Sequence, residues 1–220
     1  MGQDSILTRH QKLVFENLAE SKFLTSHFYF TGGTALTEVY LKHRLSDDLD
    51  FFSENHFEGQ SIFEEVSAFI KANHLTFQPQ RVEDTHIYFI QFSKGSNLKA
   101  NFAYYPHKRL NKGVLYKNFE VDSEFDIAVN KLLLVGGQRV EIKDFVDLYF
   151  LLSKFTIWEL IDGVKAKFDV EFDHYILASD LLECEGLEFL PRLIRPLRLA
   201  DLKKFYRDLS KSLSVKSVIK

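Results

Sequence analysis

The spacing of hydrophobic residues divides the chain into two parts. Between residue 28 and about residue 121, apolar runs of strand length alternate with segments in which apolar residues recur at helical spacing. The runs predict strands at 28–31, 49–52, 75–81, 86–92 and 98–104. The helical spacing predicts helices at 6–18, 34–42 and 62–70. This order of elements predicts a mixed sheet flanked by helices.

After residue 123 nearly every apolar residue recurs at helical spacing. The predicted helices are 124–135, 142–152, 157–168, 174–183 and 197–213. We therefore predict an α/β (α+β) chain with two domains. A mixed β-sheet core occupies residues 1–122, and a helical region occupies residues 123–220.

Composition narrows the class of protein without naming an activity. The 220 residues are 45% hydrophobic and 27% charged, which is the balance of a folded chain with a sizeable core. The one cysteine, Cys184, excludes an internal disulfide and a cysteine-rich zinc site. The longest aliphatic run, 132–135, is far shorter than the roughly 18 residues of a membrane span. Since residues 1–6 also lack a signal peptide, we expect a cytoplasmic protein without a membrane partner.

The formal net charge of −3 conceals an asymmetry. Residues 192–220 contain nine Lys or Arg and two Asp, a net charge of +7, which leaves −10 on residues 1–191. A basic segment on an acidic body favours a polyanionic partner such as RNA. The alternative is that these residues are only the solvated faces of helices.

Residues 28–53 hold the first candidate site. Gly32 and Gly33 lie between a predicted strand and a predicted helix, where glycine lets a ligand approach the backbone. The unpaired amides of a helix's first turn attract phosphate. A plain tight turn would explain the two glycines equally well if the pattern ended at residue 41.

The pattern continues into an acidic strand. Asp48 and Asp50 are two residues apart, so both carboxylates project from one face of the strand, while Leu49 and Phe51 point into the apolar layer. Two adjacent carboxylates repel each other, and a hard cation such as Mg²⁺ or Mn²⁺ relieves the repulsion. The alternative is that they are ordinary turn and edge residues.

These motifs, in this order, resemble the AbiEii/AbiGii branch of the nucleotidyltransferase superfamily. The matching residues are Gly32-Gly33-Thr34-Ala35-Leu36, then His43-Arg44 with Ser46, Asp48-Leu49-Asp50-Phe51-Phe52, Asp126-Ile127-Ala128 with Lys131, and Lys143-Asp144-Phe145-Val146-Asp147-Leu148. The resemblance implies a nucleotidyltransferase-like core, a helical region that completes the active-site cleft, and metal-dependent transfer of a nucleotide from a nucleoside triphosphate. It also implies a toxin of a toxin–antitoxin pair, with a cognate antitoxin as a partner and tRNA or other RNA as the acceptor.

The resemblance assigns roles to nine residues. Nucleotide binding falls to Gly32, Gly33, Thr34, Arg44 and Ser46, metal binding to Asp48 and Asp50, and further catalytic roles to Lys131 and Asp144. The spacing places Lys131 on an apolar helix face, from which it would reach either a phosphate or, as the plain alternative, the solvent.

Asn101 departs from the general nucleotidyltransferase pattern. Such enzymes place a third carboxylate on a later strand, and the predicted strand 98–104 has an amide at this position. An amide can ligate a hard cation but adds no charge and is no base. One alternative is therefore a catalytically weakened nucleotide-binding or regulatory module. A further alternative, independent of Asn101, is a nucleotidyltransferase that modifies a small molecule.

Overall fold

The computed structural model describes residues 5–92 and 95–218, and these residues form two units. The first contains the described residues up to Lys108 together with Lys112–Ser123. The second contains Arg109–Asn111 together with the described residues from Glu124 onward. The first unit therefore ends one residue after the predicted core, but no feature of the hydrophobic pattern indicates that 109–111 belong to the second.

A mixed sheet forms the first unit. Its described strands are β1 (Tyr29–Thr31), β2 (Leu49–Ser53), β3 (Thr76–Val82), β4 (Thr85–Gln91), β5 (Asn97–Tyr104), β6 (Leu115–Tyr116) and β7 (Phe119–Val121). Within the described residues the strand order is β3-β4-β5-β2-β1-β7-β6. The central strand β2 pairs antiparallel with β1 and parallel with β5. Leu49 and Phe51 of β2 are fully buried, as their alternation with the acidic positions predicts.

The helices of the first unit are α1 (Arg9–Leu18), α2 (Lys22–His27), α3 (Gly32–Ala35) and α4 (Gly59–Ala72). A capping box begins α1, because the Thr8 side chain accepts from the amide of Gln11 and the Gln11 side chain accepts from the amide of Thr8. The predicted helix 34–42 begins earlier than expected, at Gly32, and α3 continues as a π-helix over Leu36–Leu41. Lys42, in the left-handed region, ends it.

The second unit is helical. It contains α5 (Glu124–Leu133), a π-helical turn (Leu134–Gln138), α6 (Ile142–Leu151), α7 (Ile157–Phe168), α8 (His174–Leu182), a 3₁₀ turn (Glu183–Gly186) and α9 (Leu199–Val218). Helix α5 packs against α6 and α7, and α8 packs along α9. At Gly163 of α7 a Cβ would lie 2.5 Å from Cγ2 of Val129, so a glycine is needed for the close approach of α5. The predicted fold class, a mixed sheet with flanking helices followed by helices, is confirmed.

Sequence patterns missed three short elements: α2, β6 and β7. The β6–β7 hairpin turns at Lys117 and Asn118, which both have positive φ (45° and 70°), as a two-residue hairpin turn requires. The pair lacks the Asn-Gly signature by which such turns are usually recognised. Within residues 5–92 and 95–218, no helix has the length and apolar character needed to cross a membrane.

Candidate active site

The first glycine of the turn lies against an acid of β2. Thr31 pairs with Asp50 across the antiparallel β1–β2 ladder, which brings the next residue, Gly32, beside the Asp50 side chain. Gly32 has a φ of +74°, and a Cβ there would lie 2.5 Å from Oδ2 of Asp50. Two features therefore require glycine at position 32: the positive φ of the backbone and the close approach of the Asp50 carboxylate.

The second glycine, Gly33, lies beside Arg44 and Ser46. A Cβ on Gly33 would lie 2.7 Å from Nη2 of Arg44 and 3.0 Å from Oγ of Ser46. Arg44 is only 1% exposed and donates from Nη1 to the carbonyl of Leu45 at 2.9 Å. Its guanidinium is therefore buried against the turn, whereas Ser46 is partly exposed. Of the two residues predicted to bind phosphate, Ser46 is the more accessible.

The loop between the π-helix and β2 is held from two sides. Gln11 of α1 donates from Nε2 to the carbonyls of Ser46, at 2.7 Å, and Asp47, at 3.1 Å. On the other side the Thr34 hydroxyl donates to the carbonyl of Asp48. Thr34 therefore links the glycine turn to the acidic strand. Gln11 was missed by sequence reasoning, since a helix glutamine carries no signal of a contact 35 residues away.

Asp48 and Asp50 keep access to solvent although Leu49, between them, is buried. The Asp48 side chain is 46% exposed, and Asp50 is partly exposed. Asp48 directly precedes β2, and Asp50 lies within it. The two acids contact Lys99 and Asn101, which share one face of β5, so both carboxylates lie on that face of the sheet. The acidic pair is therefore accessible to a ligand.

Asn101 lies directly beside Asp50. The two residues are partners in the parallel β2–β5 ladder, and Nδ2 of Asn101 donates to Oδ1 of Asp50 at 2.7 Å. A flipped amide would place two acceptors in contact, so the hydrogen bond fixes its orientation. Asn101 is 8% exposed, and its Oδ1 has no hydrogen-bond partner among the described residues. The amide at the position expected for a third acid therefore orients an acid of the pair.

The donor set fits a magnesium ion held together with a nucleotide. Among residues 5–92 and 95–218, no group of three or more His, Cys, Asp or Glu side chains could form a protein-only metal cage. Mg²⁺ is commonly bound by only one or two carboxylates together with substrate phosphates and water. The two partly exposed carboxylates of Asp48 and Asp50 meet that requirement.

The two catalytic residues predicted in the helical region pair with each other. Nζ of Lys131 in α5 lies 2.5 Å from Oδ1 of Asp144 and 2.8 Å from Oδ2 of Asp147, both in α6. Both carboxylates are fully buried, and Lys131 is 6% exposed, so the alternative that Lys131 extends to solvent is wrong. Arg139 donates from Nε to Oδ2 of Asp144 at 2.6 Å. Lys131, Asp144 and Asp147 are the buried ion cluster of the second unit, and the half-exposed Arg139 contacts it at Asp144.

The pKa of Asp144 reflects this cluster. Burial raises the pKa of its carboxyl, but Lys131 and Arg139 together lower it by more, so the pKa lies below the usual value of 3.8. Asp144 is therefore an anion at neutral pH and has no raised pKa of the kind that marks a general acid.

Asp126, part of the same resemblance, has a structural role. Its carboxylate accepts from the amides of Leu110 and Asn111, at 2.8 and 2.9 Å, and from Nζ of Lys167 at 2.8 Å. Asp126 is fully buried. It therefore holds the short segment 109–111 on the second unit.

The basic segment 192–220 is partly neutralised within the second unit, and its last residues, 219–220, lie outside the described part of the chain. Three of its basic side chains form ion pairs: Arg198 with Asp201, Lys204 with Asp208, and Arg207 with Glu185. Arg192, Arg195 and Lys211 are exposed. The positive surface is therefore weaker than the count of charges suggests.

The first unit brings seven of the nine predicted site residues together: Gly32, Gly33, Thr34, Arg44, Ser46, Asp48 and Asp50. The other two, Lys131 and Asp144, meet in the second unit.

A family model and a sequence relative match most of the chain. The model of the family described as "Nucleotidyl transferase AbiEii toxin, Type IV TA system" matches residues 15–216. The "Uncharacterized protein aq_aa25" of Aquifex aeolicus (strain VF5) is 30% identical over 185 residues, which cover 81% of this chain and 84% of that protein.

Two solved structures from Helicobacter pylori share the fold. JHP933 aligns with a TM-score of 0.54 and 20% identity, covering 94% of this chain and 93% of its own. A second protein of that organism aligns with a TM-score of 0.58 and 20% identity, covering 96% of this chain and 97% of its own. At this identity the likeness concerns the fold alone.

Proposed function

Because the chain belongs to the AbiEii nucleotidyltransferase toxin family, we propose that it transfers a nucleoside monophosphate from a nucleoside triphosphate to a hydroxyl group of RNA, with tRNA as the first acceptor to test. Family membership makes the chain a nucleotidyltransferase. The metal, the acceptor and the partner are our proposal. One observation carries it: the turn of Gly32 and Gly33 lies directly against Asp50 and Ser46.

The residues of the first unit would divide the work. The backbone at Gly33 and the hydroxyl of Ser46 would donate to phosphate oxygens, and buried Arg44 would support the turn from behind. Asn101 would keep Asp50 in its orientation. Asp48 and Asp50 would hold Mg²⁺ or Mn²⁺, which supplies electrostatic stabilisation of the charge on the transferred phosphoryl group.

The reaction needs no covalent nucleophile on the protein. The oxygen of the acceptor hydroxyl bonds to the α-phosphorus, the bond from that phosphorus to the bridging oxygen breaks, and pyrophosphate leaves. The hydroxyl proton passes to solvent water. Phosphoryl transfer of this kind depends mainly on positioning and on charge stabilisation. A turn and an acidic strand that are held rigidly by Gln11 and Thr34 suit that requirement.

The proposal that the acceptor is RNA is supported by the exposed basic side chains of segment 192–220. Membership of the toxin family supports a cognate antitoxin as a further partner. Binding to phosphates releases counterions, so the affinity for tRNA should fall steeply between about 50 and 200 mM salt. Affinity that stays constant over this range would contradict binding through phosphates.

The test of the activity is transfer of label from each α-³²P nucleoside triphosphate to total tRNA, with Mg²⁺ or Mn²⁺. We expect labelled tRNA with the wild-type protein and none with Asp48→Ala. The matched control is Asp47→Ala, which removes a neighbouring exposed acid and should retain the activity. Equal labelling by wild type and Asp48→Ala would show that the site is misassigned.

A second function has one observation in its favour. With Asn101 at the position of a third acid, the chain could bind nucleotide without efficient transfer, as a regulatory module. Asn101→Asp separates the two functions. Activity that appears only in this variant would support the module, and activity of the native chain would exclude it.

A further inference from the structure

The acidic pair has a neighbour to which no role has yet been given. Lys99 lies on β5, two residues before Asn101, so the two side chains project from the same face of the strand. In the parallel β2–β5 ladder Asn101 pairs with Asp50 and Ala100 with Leu49, which places Lys99 alongside Asp48. Each acid of the pair therefore has its own polar neighbour on β5, an amide for Asp50 and an ammonium for Asp48.

Lys99 is held only loosely. Its Nζ lies 3.8 Å from Oδ2 of Asp48, and the two side chains are 35% and 46% exposed. An exposed ion pair at such a distance contributes little to folding. By contrast, Lys131 lies within 2.8 Å of two buried carboxylates. The position of Lys99 is therefore not explained by stability.

The charge of the site gives Lys99 a use. A nucleoside triphosphate carries several negative charges, and it would have to approach two carboxylates. Arg44, the cation beside Gly33, is 1% exposed and cannot follow a ligand. Lys99 combines a flexible stem, an accessible ammonium and a weak partner, and such a group can move to a phosphate oxygen.

We infer that Lys99 binds the triphosphate of the nucleotide substrate and that its ammonium contacts Asp48 only until the nucleotide arrives. The inference rests on the proposed function, because it assumes that the nucleotide binds at the Asp48–Asp50 face. In the resting protein Lys99 offsets part of the repulsion between the two acids. In the complex it neutralises phosphate charge.

Two binding measurements test the inference. The first is the affinity of each ribonucleoside triphosphate, and of the corresponding monophosphate, by isothermal titration calorimetry with Mg²⁺. Lys99→Ala should weaken triphosphate binding about tenfold, the usual effect of one charge-assisted contact, and monophosphate binding by less than about twofold. Lys99→Arg should keep most of the affinity.

The second measurement is Mn²⁺ binding without nucleotide, by electron paramagnetic resonance. Lys99→Ala removes a cation that competes for Asp48, so Mn²⁺ should bind several-fold more tightly. Lys99→Ala is thus expected to weaken triphosphate binding and to strengthen Mn²⁺ binding. Local damage to the site would instead weaken the binding of both ligands. The matched control is Lys117→Ala, which removes another half-exposed lysine of the first unit from its ion pair with Glu16 and should change neither affinity.

Two results would overturn the inference: unchanged triphosphate affinity in Lys99→Ala, or an equal loss for triphosphate and monophosphate. Failure of the proposed function looks different. If the proposed function is wrong, the wild-type protein binds no triphosphate, or Asp48→Ala binds Mn²⁺ and triphosphate with the affinity of the wild type. Neither of these results depends on the residue at position 99.

Discussion

Replacement of Lys131 by methionine is the perturbation whose cost the structure defines best. The ammonium lies within 2.8 Å of Asp144 and Asp147, whose side chains are fully buried. Methionine fills a similar volume without the charge, so the variant keeps the packing and removes the cation. Breaking a buried ion pair by removing one partner typically costs about 3–5 kcal/mol, because a carboxylate remains buried without its counter-charge.

That cost is large for a chain of this size. Proteins unfold with a free energy of about 5–15 kcal/mol, so Lys131→Met should remove a large share of the stability. At a urea dependence of about 2–3 kcal/mol per molar, the midpoint of unfolding should fall by about 1–2.5 M. Trp158 lies in α7 of the same unit and reports the transition by fluorescence, with circular dichroism as the second signal.

Two controls make this result interpretable. Lys165→Met breaks an exposed ion pair with Glu171 in the same unit and should leave the midpoint of unfolding nearly unchanged. The double variant Lys131→Met with Asp147→Asn removes one buried negative charge together with the cation and should recover part of the loss. A Lys131→Met protein as stable as Lys165→Met would refute a structural role for this cluster. It would return Lys131 to the role of a phosphate ligand.

Four further outcomes follow from the geometry. Gly32→Ala should abolish nucleotide transfer and lower the melting temperature, because its Cβ would lie 2.5 Å from Asp50 at a φ of +74°. Asn101→Asp should reduce transfer at least about tenfold in the labelling assay, because a carboxylate in place of the donating amide would repel Asp50. Since the pKa of Asp144 is lowered by folding, its contribution to stability is present above the unfolded pKa and is lost as the pH falls through the folded pKa. The melting temperature should therefore fall more on acidification below about pH 4 in the wild type than in Asp144→Asn. Thr156→Ala should cost about 1 kcal/mol in thermal unfolding, because Thr156 forms the capping box of α7.

The sequence predicts the long elements well because their evidence is local. Helices such as α4 and α7 have a continuous apolar face, and β4 and β5 are strands of 7 and 8 residues. The short elements could not be predicted in this way. Helix α2 spans six residues, Lys22–His27, which is too short for helical periodicity to be visible.

The site was predictable where its chemistry lies within one segment. Gly32, Asp48 and Asp50 lie within one segment of the chain, residues 28–53, and the spacing of the two acids predicts that their side chains share a face. Gln11 and Lys99 reach the same site through an α1 contact and through strand register. Such contacts between distant segments leave no periodic signal in a single sequence.

The acids predicted as catalytic, Asp48, Asp50 and Asp144, differ in their exposure to solvent and in their ion pairs, and the difference separates structure from function. Asp144 and Asp147 are fully buried and lie within 2.8 Å of one lysine, so their charge is already balanced by the protein. Asp48 is 46% exposed and has its cation at 3.8 Å, so much of its charge stays available to a ligand. A buried carboxylate without a counter-charge would destabilise the fold, whereas an exposed pair with a loosely held ammonium costs little until a metal and a nucleotide arrive. A metal–nucleotide complex should therefore bind at the acidic pair Asp48 and Asp50. The first test of the buried ion cluster should be its contribution to the stability of the fold.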